Sequence, residues 1–232
     1  EVMKWCRAHE LMDSNPVELV EHILGKQKSK SERERHQPAM DWRKIPEFCG
    51  NELAAGNDVT RKGLEFTIHT AARSGEIRGA TWAEIDFKNQ IWSIPEARMK
   101  KKKPHRIPLS KRAMEILEEQ KMLNPESDLI FPSPRGKKLS DMVFTTFLRK
   151  HRVLSSEPPA IATAHGFRSS FRDWASENGY ARDLAERALA HGITNKTEKA
   201  YHRTDLLEER RPMMTAWSAW VCREMKDHHG TN

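Results

Sequence analysis

The chain has 232 residues and a mass of 26.9 kDa, with 37% hydrophobic and 31% charged residues and a mean hydropathy of −0.79. That length and its seven Trp and eight Phe suit one large domain with a real core and exclude a disordered chain. Lys and Arg number 40 against 33 Asp and Glu, a formal charge of +7 that favours a polyanionic partner.

No apolar run approaches the roughly 18 residues of a membrane span. Glu1 is not followed by a charged-then-apolar leader, so no secretory signal is expected in these residues, and a start without Met reads as that of a fragment. Cys6, Cys49 and Cys222 form no CxxC pair and suggest no disulfide framework. They are read as buried or inert thiols in a reducing, cytoplasmic compartment.

Residues 1–24 read as two helical pieces split by Asp13-Ser14-Asn15-Pro16. Residues 25–38, opening with a charged run that contains no apolar side chain, read as a linker. The main domain is expected over residues 39–226, with 227–232 as a polar tail in which Asp227, His228 and His229 are frayed residues and not a metal site.

Within that domain, helical patterns run over about 43–55, 58–71, 74–80 and, behind Ser110 as the N-cap, 110–123. Two short apolar runs, Ile91-Trp92-Ser93-Ile94-Pro95 and His105-Arg106-Ile107-Pro108-Leu109, flank a lysine cluster and predict a hairpin with that cluster at its tip. From Arg98 to Arg112 there are eight basic residues and no acid, which exceeds the whole net charge. Further helices are expected over about 140–151 behind Ser140, 165–178 closed by Gly179, 181–190 stopping at Gly192, and 204–225. The last places Met213, Met214, Trp217, Trp220, Val221 and Met225 on one stripe that needs a partner, more often the core than another protein. The fold class expected is mainly α with a small antiparallel β-sheet.

Walker, GxGxxG, GxSxG and HExxH patterns are missing, which makes nucleotide-driven chemistry and zinc hydrolysis poor readings. Cationic and imidazole residues stand instead in short glycine-marked contexts: Arg73-Ser74-Gly75-Glu76, Lys100 to Lys103, His165-Gly166-Phe167-Arg168, and Leu189-Ala190-His191-Gly192 followed by Tyr201. Two guanidiniums on one phosphate can each donate paired hydrogen bonds to its oxygens, most strongly as charge builds up during in-line attack, and such a site needs no metal ion or cofactor. A nucleophile is then required. Of the two tyrosines, Tyr201 is preferred to Tyr180, which sits just past a helix-ending glycine. A sugar 5′ oxygen is a poor leaving group and calls for a general acid. Lys100 is the choice for it, with Lys101, Lys102 and Lys103 as alternatives.

Four of these pieces in order, Thr70 to Ile77 with Trp82, Met99-Lys100 running to Leu109, His165 to Arg168, and Leu189-Ala190-His191 to Tyr201, resemble the tyrosine recombinases, specifically the phage-type integrases. The resemblance spans roughly residues 40–220. It implies the integrase catalytic-domain fold and an Arg, Lys, His, Arg, His, Tyr constellation carried onto Arg73, Lys100, His165, Arg168, His191 and Tyr201. The arginines would bind the scissile phosphate, Lys100 would protonate the leaving 5′ oxygen, His165 would assist proton transfer and His191 would support the phosphate. Glu76 matches an acidic orienting position. Lys101, Lys102, Lys103 and Arg106 are expected to touch DNA.

The resemblance further implies double-stranded DNA carrying attachment sites, other protomers exchanging C-terminal segments (the C-terminal helix among the candidates), accessory factors, and residues 1–24 as the remnant of a core-binding domain. A type IB topoisomerase would share the phosphotyrosine chemistry. A non-catalytic DNA-binding protein would use the basic hairpin and leave the tyrosine idle. The bland readings are helix-end ion pairs for the arginines, structural roles for the histidines, packing for Tyr201 and a solvated loop for the lysines.

Overall fold

A computed structural model describes residues 2–16, 20, 37–191 and 204–225. The chain divides into two units, residues 1–36 and 37–232, each described by itself. In the first, helix α1 (Val2–Ala8) buries none of its residues, and Trp5 stacks on His9 with ring centroids 4.1 Å apart. Most of the second helical piece expected there, most of the charged linker, the tail beyond Met225 and the expected stop at Gly192 lie outside the described residues.

The second unit opens with one continuous helical stretch that changes pitch. A 3-10 turn (Trp42–Lys44) is capped by Asp41, whose carboxylate accepts from the Arg43 N–H. It runs into α2 (Ile45–Phe48), which has Pro46 near its start, and then into a π turn (Cys49–Leu53). Helix α3 (Val59–Thr70) follows, capped by the Asp58 carboxylate, which accepts from the N–H groups of Thr60 and Arg61.

Every α3 residue from Lys62 to Thr70 is buried, because later helices of the domain pack around it. Its charged residues are therefore paired. Glu65 accepts from Arg112 at 2.7 Å, and Lys62 lies 2.7 Å from Glu119. Leaving either charge buried and unpaired would cost several kcal/mol, on the order of 3–5.

Helix α4 (Ser74–Arg78) follows after a sharp turn at Ala71, which takes a left-handed φ of 51°. Strands β1 (Ile85–Asp86), β2 (Ile91–Ile94) and β3 (His105–Pro108) form one antiparallel sheet in the order β1-β2-β3. Trp92 pairs with Ile107 and Ile94 with His105. Trp92, Ile94 and Ile107 face the core, while Ser93 and Arg106 face out. The hairpin expected from the two apolar runs forms, with inward and outward side chains alternating along it. Strand β1 was not expected, because two residues are too short to show a period.

Helix α5 (Lys111–Leu123) starts behind Ser110, whose hydroxyl accepts from the Ala113 N–H as expected. Helix α6 (Val143–Lys150) begins at a plain Met142 with no side-chain cap. The expected cap, Ser140, contributes only its carbonyl, which accepts from the Val143 N–H at 3.3 Å. Helices α7 (Gly166–Glu177) and α8 (Arg182–Ala188) precede α9 (Leu207–Cys222).

On α9, Met213, Met214, Trp217 and Val221 are buried, and Trp217 donates its indole N–H to the Ile68 carbonyl at 2.8 Å. Trp220 is partly buried and meets Trp42 edge-on at 5.0 Å. The apolar stripe is this domain's own core. Cys49 is buried, while Cys6 and Cys222 are only partly so. Burial pushes the Cys222 thiol up to about 11 and raises that of Cys49 well above its usual value, so both are protonated at neutral pH. Among the described residues no helix is long and apolar enough to cross a membrane.

Candidate active site

The site forms where four chain turns meet: the α3–α4 corner, the start of α7, the end of α8 and the β2–β3 loop. The corner is built by Ala71, whose left-handed conformation aims its carbonyl at Arg168 and brings Arg73 to the N-cap of α4. Glu76, one turn into α4 and only 5% exposed, accepts from the Arg73 backbone N–H at 2.8 Å and from its Nη1 at 2.8 Å. The carboxylate thus caps the helix and aims the guanidinium in one arrangement.

Arg168 enters from α7. It is 3% exposed, with Nη1 donating to the Ala71 carbonyl and Nη2 to the Leu189 carbonyl. Arg73 Nη2 reaches the carbonyls of Leu189 and Ala190 at 3.4 and 3.5 Å. Two guanidiniums therefore share one carbonyl at the end of α8. Burial, then repulsion from Arg73, lowers Arg168 to about 10, so it stays charged at neutral pH at a considerable desolvation cost. Its Nε is buried without a partner. Such a charge cluster is maintained against electrostatics, which is common where an anion is to be bound.

His191 follows Ala190, which takes a left-handed φ of 49°. Its Nδ1 lies 2.7 Å from the Glu186 carboxylate and its Nε2 3.3 Å from Arg168 Nη2. The arrangement fits the neutral tautomer with the proton on Nδ1, donated to Glu186, and the Nε2 lone pair facing Arg168. Burial, with help from Arg168 and Arg73, lowers its pKa even though Glu186 pulls upward.

His165 is exposed at the N-cap of α7. Burial of part of its ring and the charges of Arg168, Arg73, His191 and Lys100 depress its pKa, so four candidate residues act electrostatically on this one imidazole. The start of α7 can sit so deep only because residue 166 is glycine: a Cβ there would lie 2.0 Å from the Pro38 carbonyl oxygen.

The lysine loop joins β2 to β3 through a 3-10 turn (Glu96–Arg98) and the buried Met99. Lys100, Lys101, Lys102 and Lys103 are all exposed. Arg106, expected on DNA, is half exposed and also pairs within the chain: its Nε and Nη2 donate to the Asp205 carboxylate at 2.8 and 2.7 Å. Arg98 and Arg112 are paired as well, with Glu84 and Glu65. Lysines 100–103, with Lys111 and the half-exposed Arg106, are the exposed cations of the basic stretch.

Tyr201 lies outside the described residues. Thr204, three positions later, is described, and its carbonyl accepts from Arg187 at the end of α8. Tyr180 is packed on Trp174 with centroids 5.2 Å apart.

Sequence reasoning missed two supports. Glu186 orients His191, a carboxylate five residues ahead of the imidazole with no spacing signal to mark it. His105 is buried under the site with Nε2 at 3.2 Å from the Ala188 carbonyl, and burial plus Arg210 lowers it to about 3, so it is neutral.

Residues 41–207 match the phage integrase family. The integrase of Enterobacteria phage P4 is 32% identical over 238 residues, a match that covers 95% of this chain and 52% of that protein. The prophage integrase IntA of Escherichia coli strain K12 is 31% identical over 224 residues, again covering 95% and 52%. The chain spans about half the length of these curated relatives. Among solved structures, the integrase from mycobacterium phage Brujita superposes with a TM-score of 0.58 at 15% identity, covering 95% of this chain and 73% of that one. At those identities a structural likeness speaks for the fold alone.

Proposed function

The chain belongs to the phage integrase family, and from that premise we propose that its second unit cuts and rejoins DNA strands at specific sites through a 3′-phosphotyrosyl link. The observation that carries this is the pair of guanidiniums, Arg73 and Arg168, converging on the Leu189 carbonyl beside His191 and within electrostatic reach of His165. A phosphate placed over that pair would replace weak, long carbonyl contacts of Arg73 with charge-assisted bonds. The fixed positive groups would then steady the equatorial oxygens as phosphorus becomes five-coordinate.

In this reading the Tyr201 hydroxyl attacks phosphorus in line. Its proton passes towards His165, an Oη–P bond forms, and the P–O5′ bond breaks as Lys100 gives a proton to the departing oxygen. The reverse step needs no ATP, because the phosphotyrosyl ester keeps the energy of the diester. A phenol's pKa near ~10 makes it a tolerable leaving group for rejoining. Tyr201 is three residues from Thr204, a span of at most about 11 Å of extended chain, and Thr204 is tied to the helix whose end holds Arg73 and Arg168.

The partners proposed are double-stranded DNA with attachment sites, held in part by Lys101, Lys102 and Lys103, and other protomers. A relative in the same fold, a lambda integrase dimer, was solved bound to a COC′ core site; it has a TM-score of 0.56 at 20% identity, covering 87% of this chain and 69% of that one. Arg106, half exposed while paired with Asp205, is proposed as a further DNA contact. Residues 1–24 are proposed as the end of a core-binding domain, and accessory factors as further partners of the full recombination reaction.

The test is a nicked duplex carrying the junction of the encoding element, incubated with the chain and run on a denaturing gel. Wild type is expected to give a protein–DNA adduct and Tyr201→Phe none. An adduct with Tyr201→Phe, or none with wild type, discards the mechanism.

A further inference from the structure

Arg98 stands two residues before Lys100; it is partly buried, and both Nη groups of its guanidinium are engaged. Nη1 donates to both oxygens of the Glu84 carboxylate, which also accepts from the Trp92 indole at 2.9 Å. Nη2 donates to the main-chain carbonyl of Glu76. Glu76 is the residue whose carboxylate aims Arg73.

The neighbourhood is shaped for this side chain. Glu84 is 8% exposed, and a Cβ at Gly79 would lie 3.1 Å from Arg98 Nη2. The bare Cα of Gly79, at the end of α4, leaves the space that the guanidinium fills. Met99 then plugs into the core, and Lys100 is the first exposed residue after that anchor. A loop with four successive exposed lysines has no register of its own; the Arg98 and Met99 anchor supplies one.

We propose that Arg98, held by Glu84, is a positioning residue for Lys100: it ties the root of the lysine loop to α4 and so fixes the proton donor relative to the phosphate held by Arg73. This deepens the strand-transfer reading and rests on it. In that reaction the P–O5′ bond breaks and the oxygen takes a proton from the Lys100 ammonium. A sulfur in place of the bridging oxygen departs as a far less basic thiolate and needs no such proton.

The experiment compares single-turnover cleavage by the full chain on two nicked duplexes carrying the junction of the encoding element, one with an ordinary phosphodiester and one with sulfur as the bridging 5′ atom. Arg98→Ala and Glu84→Gln are expected to lose about 10- to 100-fold with oxygen, less than the full ~10²- to 10⁴-fold of a general acid because Lys100 is displaced and not removed, and less than about threefold with sulfur, the pattern expected of Lys100→Ala. Arg98→Lys, which keeps a cation on Glu84, serves where Arg98→Ala does not fold. Equal losses on both duplexes, or no loss on either, overturn the proposal while leaving strand transfer standing. Absence of any adduct with wild type on both duplexes overturns strand transfer itself, and this proposal with it.

Discussion

At the scale of single residues, the site is a set of charges whose protonation states follow from one another. Arg168 is buried yet cationic, and burial first, then its charge and that of Arg73, lowers His165 and His191 from the ordinary histidine value. His165 is therefore mainly a neutral imidazole at pH 7, the form that the proposed reaction needs to accept the tyrosine proton. Its folded pKa is lowered from the ordinary histidine value near 6.5, so the acid limb of the cleavage rate should be centred below about pH 6.5. A single-turnover pH profile on the nicked duplex reads this. An acid limb centred above pH 7 would contradict it. The identities of Arg73, His165, Arg168 and His191 were legible in the sequence because each sits in a short, glycine-marked context. Glu186 and Arg98 were not, since a supporting carboxylate or guanidinium is recognised by what it touches and leaves no spacing rule behind. The Arg106–Asp205 pair was not legible for the same reason: the two residues are 99 positions apart.

At the scale of elements, the start of α7 shows how one position serves both fold and site. Gly166 lies against the Pro38 carbonyl, between the two site residues His165 and Arg168. Gly166→Ala places a methyl group where backbone already stands, so α7 or residues 38–39 must shift. The expected destabilisation is about 1–3 kcal/mol, as for other overpacked sites, read as a lower urea midpoint, together with loss of adduct formation. An unchanged midpoint would show that the contact is not as tight as described. Helices α3, α5, α7 and the β2–β3 hairpin were legible from period and caps. The pitch change over residues 42–53 and the uncapped start of α6 were not, because both are decided by packing against the rest of the domain. Local propensity does not set them.

At the scale of the whole molecule, two buried neutral histidines make stability depend on pH. His69 sits between α3 and α9, its Nδ1 at 2.9 Å from the Ser218 hydroxyl, and burial lowers it to about 4; His105 is lowered to about 3. Unfolding releases both to values near ~6.5, so the unfolded chain binds more protons at any pH below that. Their contribution is complete above about pH 6.5 and is lost as the pH falls towards the folded values, at roughly 1.4 kcal/mol per unit for each. Between pH 6.5 and 5 the carboxylates still hold their charges, so this window belongs to the histidines. Urea unfolding is expected to show a clear fall in stability from pH 7.5 to 5, on the order of 3 kcal/mol; a flat profile would contradict the burial of both rings.

Arg73 and Arg168 meet at the end of α8, and Thr204, three positions after Tyr201, is tied to the same helix. Only two tyrosines are present in the chain, Tyr180 and Tyr201. Proteolysis of the covalent protein–DNA adduct followed by mass spectrometry of the nucleotide-bearing peptide tests this most directly: the account predicts a 3′-phosphate ester on Tyr201, whereas the modification on Tyr180 or on a serine would contradict it.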